Sequence, residues 1–276
     1  MRTTVSPTIK PFGKEDEYMS QFVKGDDALD IIEDSNEGGI GNDNEFTSLK
    51  SGESIIVKLL GTRDFVAYYG YGSFKPKVNT FAAKNPSKKS KKGYPVEDLT
   101  PWDLAWKYHA DKSEEYRDKH STEAYKYRPK KRVFFGFYDL DNGKCIVVDF
   151  TANQANAIID TIKNNEKRID KMAFQLTKQG SSTSTTASLI PLPFIEDDLT
   201  EKQLENFNNA PDKFDDSKYE GLVYEADEDE QLLALDTMGF DVKLIGKELP
   251  ERKDEENTEG IGSGEDGELI DDDLPF

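Results

Sequence analysis

The strongest constraint in this chain is a pair of opposed strands. Residues 132–138 read Arg-Val-Phe-Phe-Gly-Phe-Tyr, a β-prone run with aromatics on both alternations. Asp141-Asn142-Gly143 follows, and Asn-Gly tolerates the positive φ of a tight hairpin turn. Residues 144–150 then return as the partner strand. Because side chains alternate across a strand, Val133, Phe135 and Phe137 share one face and Phe134, Gly136 and Tyr138 the other. At least one of these faces must be buried, so the chain has to build a sheet with a covered side.

Further strands are expected at 54–60 and 65–72, and a pair at 173–178 and 188–192 around the polar loop 180–187. Thr100 with Pro101 and Asp103 marks a helix start that runs toward Tyr116. Thr151 with Gln154 and Thr200 with Gln203 are capping-box signals for two more helices, and Leu232 to Met238 suggests a last one, stopped by Gly239. The expected fold is therefore mainly β with α insertions. A five- to six-stranded antiparallel barrel of the OB type would carry a long insertion at 75–131, with an α+β sandwich as the alternative.

Charge divides the chain into parts. The net charge is −19, which taken alone argues against a polyanionic partner. Residues 1–49 carry net −7, residues 50–195 net +9 and residues 196–276 net −21. A basic middle with acidic ends points to a polyanion-binding body with an acidic arm. The organisation expected is an acidic N-terminal segment at 1–49, partly flexible, and a binding domain at 50–195. A helical acidic extension follows at 196–249, with an acidic, Gly-rich disordered tail at 250–276. One cysteine excludes a disulfide scaffold. No stretch is apolar enough for a membrane span, and residues 1–20 lack a signal-peptide core, so a cytoplasmic protein is expected.

Residues 65–96 contain seven lysines and no acid. The cations are Lys75, Lys77, Lys84, Lys88, Lys89, Lys91 and Lys92, interleaved with Tyr68, Tyr69, Tyr71, Phe74, Phe81 and Tyr94. A second cluster holds Tyr125, Tyr127, Arg128, Lys130, Lys131 and Arg132, running into Phe135 and Phe137. Lys58, Arg63, Trp102 and Trp106 complete the candidate set. Cations that track phosphates between rings that stack bases are what a single nucleic-acid strand requires. A duplex hides its base faces. Alternation also requires that part of this aromatic set be core, and the sequence leaves open which part.

The chain ends Asp271-Asp272-Asp273-Leu274-Pro275-Phe276. A basic pocket could clamp the α-carboxylate while a cavity takes the ring. This ending resembles the terminal partner-binding hexapeptide of bacterial single-stranded DNA-binding proteins, Asp-Asp-Asp-Ile-Pro-Phe, with Leu274 in place of Ile. In that family the tip recruits replication, recombination and repair proteins. Over residues of about 54–195 the body is similar in arrangement to phage single-stranded DNA-binding proteins of the T-even type. The resemblance implies a sequence-nonspecific, non-catalytic single-stranded DNA-binding protein of a bacteriophage, acting in the host cytoplasm. It also leaves room for self-association on DNA. The T-even type has a zinc site of Cys and His ligands in its insertion. Here only Cys145, His109 and His120 are present, too few for a closed site, so no metal or other cofactor is expected. The competing readings are an RNA- or duplex-binding regulator, and a metal-dependent nuclease using Asp139, Asp141 and Asp149.

Overall fold

The computed structural model describes Val23–Lys24, residues 47–181 and residues 184–251. The expectations for most of the N-terminal segment, for the disordered tail and for the tip Asp271–Phe276 lie outside these residues.

The strands are β1 (Val23–Lys24), β2 (Ser54–Lys58), β3 (Phe65–Ser73), β4 (Val78–Ala83), β5 (Lys88–Lys89), β6 (Pro95–Glu97), β7 (Lys130–Asp139), β8 (Lys144–Thr151), β9 (Ala173–Gln179), β10 (Thr186–Leu192) and β11 (Tyr224–Ala226). The helices are α1 (Pro101–Ala110), α2 (Lys119–Tyr127), α3 (Ala152–Asn165), α4 (Ile195–Asp198), α5 (Glu201–Asn209) and α6 (Glu228–Thr237). Among the described residues, nine strands share one sheet, ordered β10-β9-β2-β7-β3-β4-β11, with β1 on β3 and β8 on β7. Pairing is antiparallel throughout except for β11, which lies parallel to β4. β5 and β6 form a separate small hairpin.

The sheet is a mixed α/β structure and does not close into the barrel expected from the sequence. β10 stands at one end of the order and, among the described residues, β8 pairs with no strand but β7. Closure would join these two edges. Instead α3 leaves β8 directly and packs on both of them. Its buried stripe of Ala155, Ile158, Ile159 and Ile162 fills the main core beside Leu189 and Val148. The helix starts where expected. Thr151 accepts from Gln154 N, and the Gln154 side chain accepts from Thr151 N. Apolar residues at helical spacing do the rest.

The aromatic hairpin forms as expected, with Asp139 opposite Lys144 and Arg132 opposite Thr151. Both faces of β7 are buried, however. Val133, Phe135 and Phe137 enter the main core with Phe65, Phe150 and Phe174. Phe134 enters a second cluster with Val66, Tyr68, Val147, Phe214, Tyr219, Leu222 and Val223. Tyr138 and Leu140 pack against Phe207 of α5.

The acidic extension thus wraps the body rather than standing apart from it. α5 covers one end of β7 and the segment 210–223 covers its middle. β11 extends the sheet past β4, and α6 joins the core of the insertion. That core is centred on Trp102, which is fully buried among Tyr71, Phe81 and Tyr127 with edge-to-face contacts at 6.3, 5.2 and 5.8 Å. Leu232, Leu235 and Phe240 close it.

Candidate nucleic-acid interface

The candidate surface is built on three pieces of the insertion. The β5–β6 hairpin turns through Ser90, whose carbonyl accepts from Gly93 N at 2.8 Å and whose hydroxyl accepts from Tyr94 N at 3.2 Å. Lys91 and Lys92 stand exposed at its tip. Gly93 has φ +82°, and a Cβ there would lie 2.7 Å from Lys131 Cε and 3.1 Å from the Tyr69 ring. The left-handed φ favours glycine here, and a side chain would also force the Lys131 and Tyr69 side chains aside. Glycine brings Lys91, Lys92, Tyr69 and Lys131 onto one surface.

Beside the turn, the Tyr94 ring meets a second ring and a guanidinium. The Tyr94 ring is 38% exposed and lies 5.8 Å from Trp106 of α1 at an interplanar angle of 23°. The Arg128 guanidinium lies 5.0 Å from the Tyr94 centroid. Arg128 follows α2, and its amide donates to the Tyr125 carbonyl at 3.3 Å. Lys130 Nζ stands 5.9 Å from the Tyr125 ring. The arrangement offers flat π-surfaces edged by cations, the two groups that a strand's bases and phosphates engage.

A buried polar knot holds these pieces together. Asp103 of α1 is fully buried. It accepts from Tyr71 OH at 3.0 Å to both oxygens and from Ser87 Oγ at 2.5 Å. Lys89 Nζ donates to Ser87 Oγ at 3.0 Å and to Tyr71 OH at 3.3 Å, and lies 4.8 Å over the Tyr69 ring. Burial pushes the Lys89 ammonium below its ordinary value, and the Asp103 carboxylate opposes that shift. One carboxylate therefore ties strand β3, helix α1 and the approach to β5. Burial also raises the Tyr71 hydroxyl well above its usual range.

The structure divides the residues named from the sequence. Tyr69, Tyr94, Trp106, Tyr125, Lys89, Lys91, Lys92, Arg128, Lys130 and Lys131 come together on this surface, with Lys131 buried beneath it. Tyr68, Tyr71, Phe81, Trp102, Tyr127, Phe135 and Phe137 are core instead, each at most 4% exposed. Their rings are spent on one another, and no base can reach their faces.

The other named cations lie elsewhere, and of these Arg132 and Lys58 are taken up by the fold. Arg132 is engaged by Asp149 through Nη2 at 2.6 Å and Nε at 3.0 Å, in an ion pair with side chains only 6% and 7% exposed. Lys58 donates to the Phe207 carbonyl at 2.9 Å and lies 4.1 Å over its ring, serving the α5 packing. Lys88 pairs with Glu97 at 2.7 Å and Asp98 at 3.4 Å. Arg63 donates to the Thr62 carbonyl in the β2–β3 connection. Lys75, Lys77 and Lys84 are exposed at the two ends of β4, with Phe74 half-buried and Lys75 5.3 Å from its ring. Gly93 is the site residue that sequence reasoning missed. Its signal was present, a glycine between Lys92 and Tyr94.

The three carboxylates of a nuclease reading are not assembled. Asp139 and Asp149 lie at opposite ends of the hairpin, opposite Lys144 and Phe134 respectively. That is five register steps, roughly 17 Å. Asp139 Oδ1 accepts from the Asp141 and Asn142 amides as a turn cap, and Asp141 accepts from Gln203. Among the described residues no group of three or more His, Cys, Asp or Glu is placed to hold a metal ion. His109 and His120 meet Nδ1 to Nδ1 at 3.0 Å between α1 and α2, while Cys145 lies on β8. Among the described residues, no helix is long and apolar enough to cross a membrane.

No protein-family model, curated protein or solved structure matches this chain.

Proposed function

We propose that this protein binds single-stranded DNA without sequence preference and protects it during replication, recombination and repair. It would do so without catalysis, and its Asp271–Phe276 tip would recruit partner proteins. The observation that carries the binding reading is the Arg128–Tyr94–Trp106 cluster beside the Lys91–Lys92 tip. Exposed rings edged by cations suit a single strand, whose base faces are open. The connection order also suits it. The broken strand β2–β3, then β7, β8, helix α3, β9 and β10 follow the course of a partly open OB-type sheet.

The test is a fluorescence titration with poly-dT across salt, run beside poly-U and duplex DNA. Trp102 is buried and Trp106 half-buried at the surface, so quenching should be partial and should vanish in Trp106→Phe. If the four surface cations Lys91, Lys92, Arg128 and Lys130 neutralise about four phosphates, log affinity falls with log salt at a slope of roughly −3. A flat salt response or a duplex preference overturns the reading.

A further inference from the structure

We propose that residues 210–223 are a built-in occupant of the sheet's outer face, holding rings inward and carboxylates outward as a strand holds bases and phosphates. This cover confines nucleic acid to the insertion side. The inference rests on the single-strand reading above and specifies its path. An OB-type sheet takes oligonucleotides on the face of its second and third strands. By connection order these are β7 and β8.

The outer row of β7 contains Gly136, and a Cβ there would lie 2.6 Å from Phe214 Cζ and 2.7 Å from two further ring atoms. The Phe214 ring therefore lies directly on the glycine backbone. Tyr219 is fully buried with its ring 5.2 Å from Phe214, and the stacked pair Tyr68–Phe134 forms the floor beside them. On the solvent side, Asp212, Asp215, Asp216 and Glu220 are exposed, as are Lys213 and Lys218. The segment carries net −2, four acids against two bases. Asp215 fixes its turn by accepting from Ser217 N at 3.1 Å and Ser217 Oγ at 2.7 Å. A strand arriving at this face would have to displace buried rings and approach a segment of its own sign. The insertion surface asks for neither.

Cys145 provides the probe. It is the chain's one cysteine and lies half-buried on β8 at the margin of the cover. The experiment uses the full chain with poly-dT carrying 4-thiothymidine, mapping photocrosslinks and following Cys145 alkylation by iodoacetamide. Crosslinks are expected within residues 69–131, and alkylation should change less than about twofold on saturation with poly-dT, because the cover does not open. Crosslinks within 134–147 or 212–223, or strongly accelerated alkylation, overturn the cover while leaving single-strand binding intact. Absence of poly-dT binding in the titration overturns the functional reading and this one with it. Phe214→Ala should speed alkylation by about tenfold or more and add crosslinks within 134–147. Phe214→Leu serves the same purpose if alanine abolishes the far-ultraviolet circular dichroism of the fold. A folded variant with faster alkylation and no new crosslinks refutes the claim that this face accepts a strand.

Discussion

Replacing Asp103 with alanine should loosen the interface from inside. The carboxylate is fully buried and is the shared acceptor for Tyr71 OH and Ser87 Oγ. Its removal leaves two buried O–H donors without their acceptor, although Lys89 still donates to both oxygens, and each such buried donor costs about 1–3 kcal/mol. A loss of about 4 kcal/mol is expected, which lowers the urea midpoint by about 1–2 M at slopes of ~2–3 kcal/mol per M. Asp103→Asn keeps an acceptor of the same shape and should lose less than half as much. The decisive measurement is a double-mutant cycle with Tyr71→Phe. Once Asp103 is gone, Tyr71→Phe deletes an O–H donor without its acceptor instead of a hydrogen bond to the carboxylate. The double variant should therefore be more stable than the sum of the single losses by about 1–2 kcal/mol. Additivity within ~0.5 kcal/mol would refute the idea that this carboxylate organises the knot. Because Lys89 hangs from the same knot, Asp103→Ala should also weaken poly-dT binding under conditions where the variant remains folded.

Tyr94→Ala and Arg128→Ala should each lose about 1–3 kcal/mol of poly-dT affinity by titration, and the pair should lose less than the sum because the two side chains meet. Gly136→Ala should lower the melting temperature despite glycine's poor strand propensity, since a Cβ would displace the Phe214 ring. Asp149→Ala leaves Arg132 buried without its carboxylate and should cost about 3–5 kcal/mol in urea unfolding. Burial and the neighbouring His120 depress the His109 imidazole below its ordinary 6.5. A base whose folded value is depressed favours the neutral form, so its contribution is intact above about pH 6.5 and is lost as pH falls below that value. Glu123 opposes this shift, while Lys112 and Lys126 add to it. Melting temperature should drop between pH 7 and 5, and His120→Asn should flatten that drop.

Local signals were legible in the sequence because they act over a few residues. The Thr151–Gln154 and Thr200–Gln203 capping boxes form with both reciprocal hydrogen bonds. Asn142-Gly143 turns the hairpin, with Gly143 at φ +66°. The strands at 65–73 and 144–151 lie within a residue of expectation. β4, the β5–β6 hairpin, α2 and β11 were not read. β11 has three residues and exists only because β4 offers an edge. The division of the aromatics was illegible for a deeper reason. Tyr69 and Tyr71 stand two residues apart with the same chemistry, yet Trp102 and Asp103 take one into the core and leave the other at the surface. Alternation told which β7 side chains share a face. It could not tell that Phe214, 78 positions after Gly136, covers the second face.

The pairing of α6 and its following residues with the insertion has a consequence for synthesis. Tyr127 lies near the end of the insertion, and one of the rings that pack on it, at 5.5 Å, is Phe240. The ribosome must add about 110 further residues before that contact exists, a delay of roughly 6–22 s at ~5–20 residues per second. Until then a growing chain carries Trp102, Tyr71 and Phe81 without their lid. Residues near 240 finish an aromatic core whose other rings are made long before, so a chain truncated before residue 240 is released with that core open.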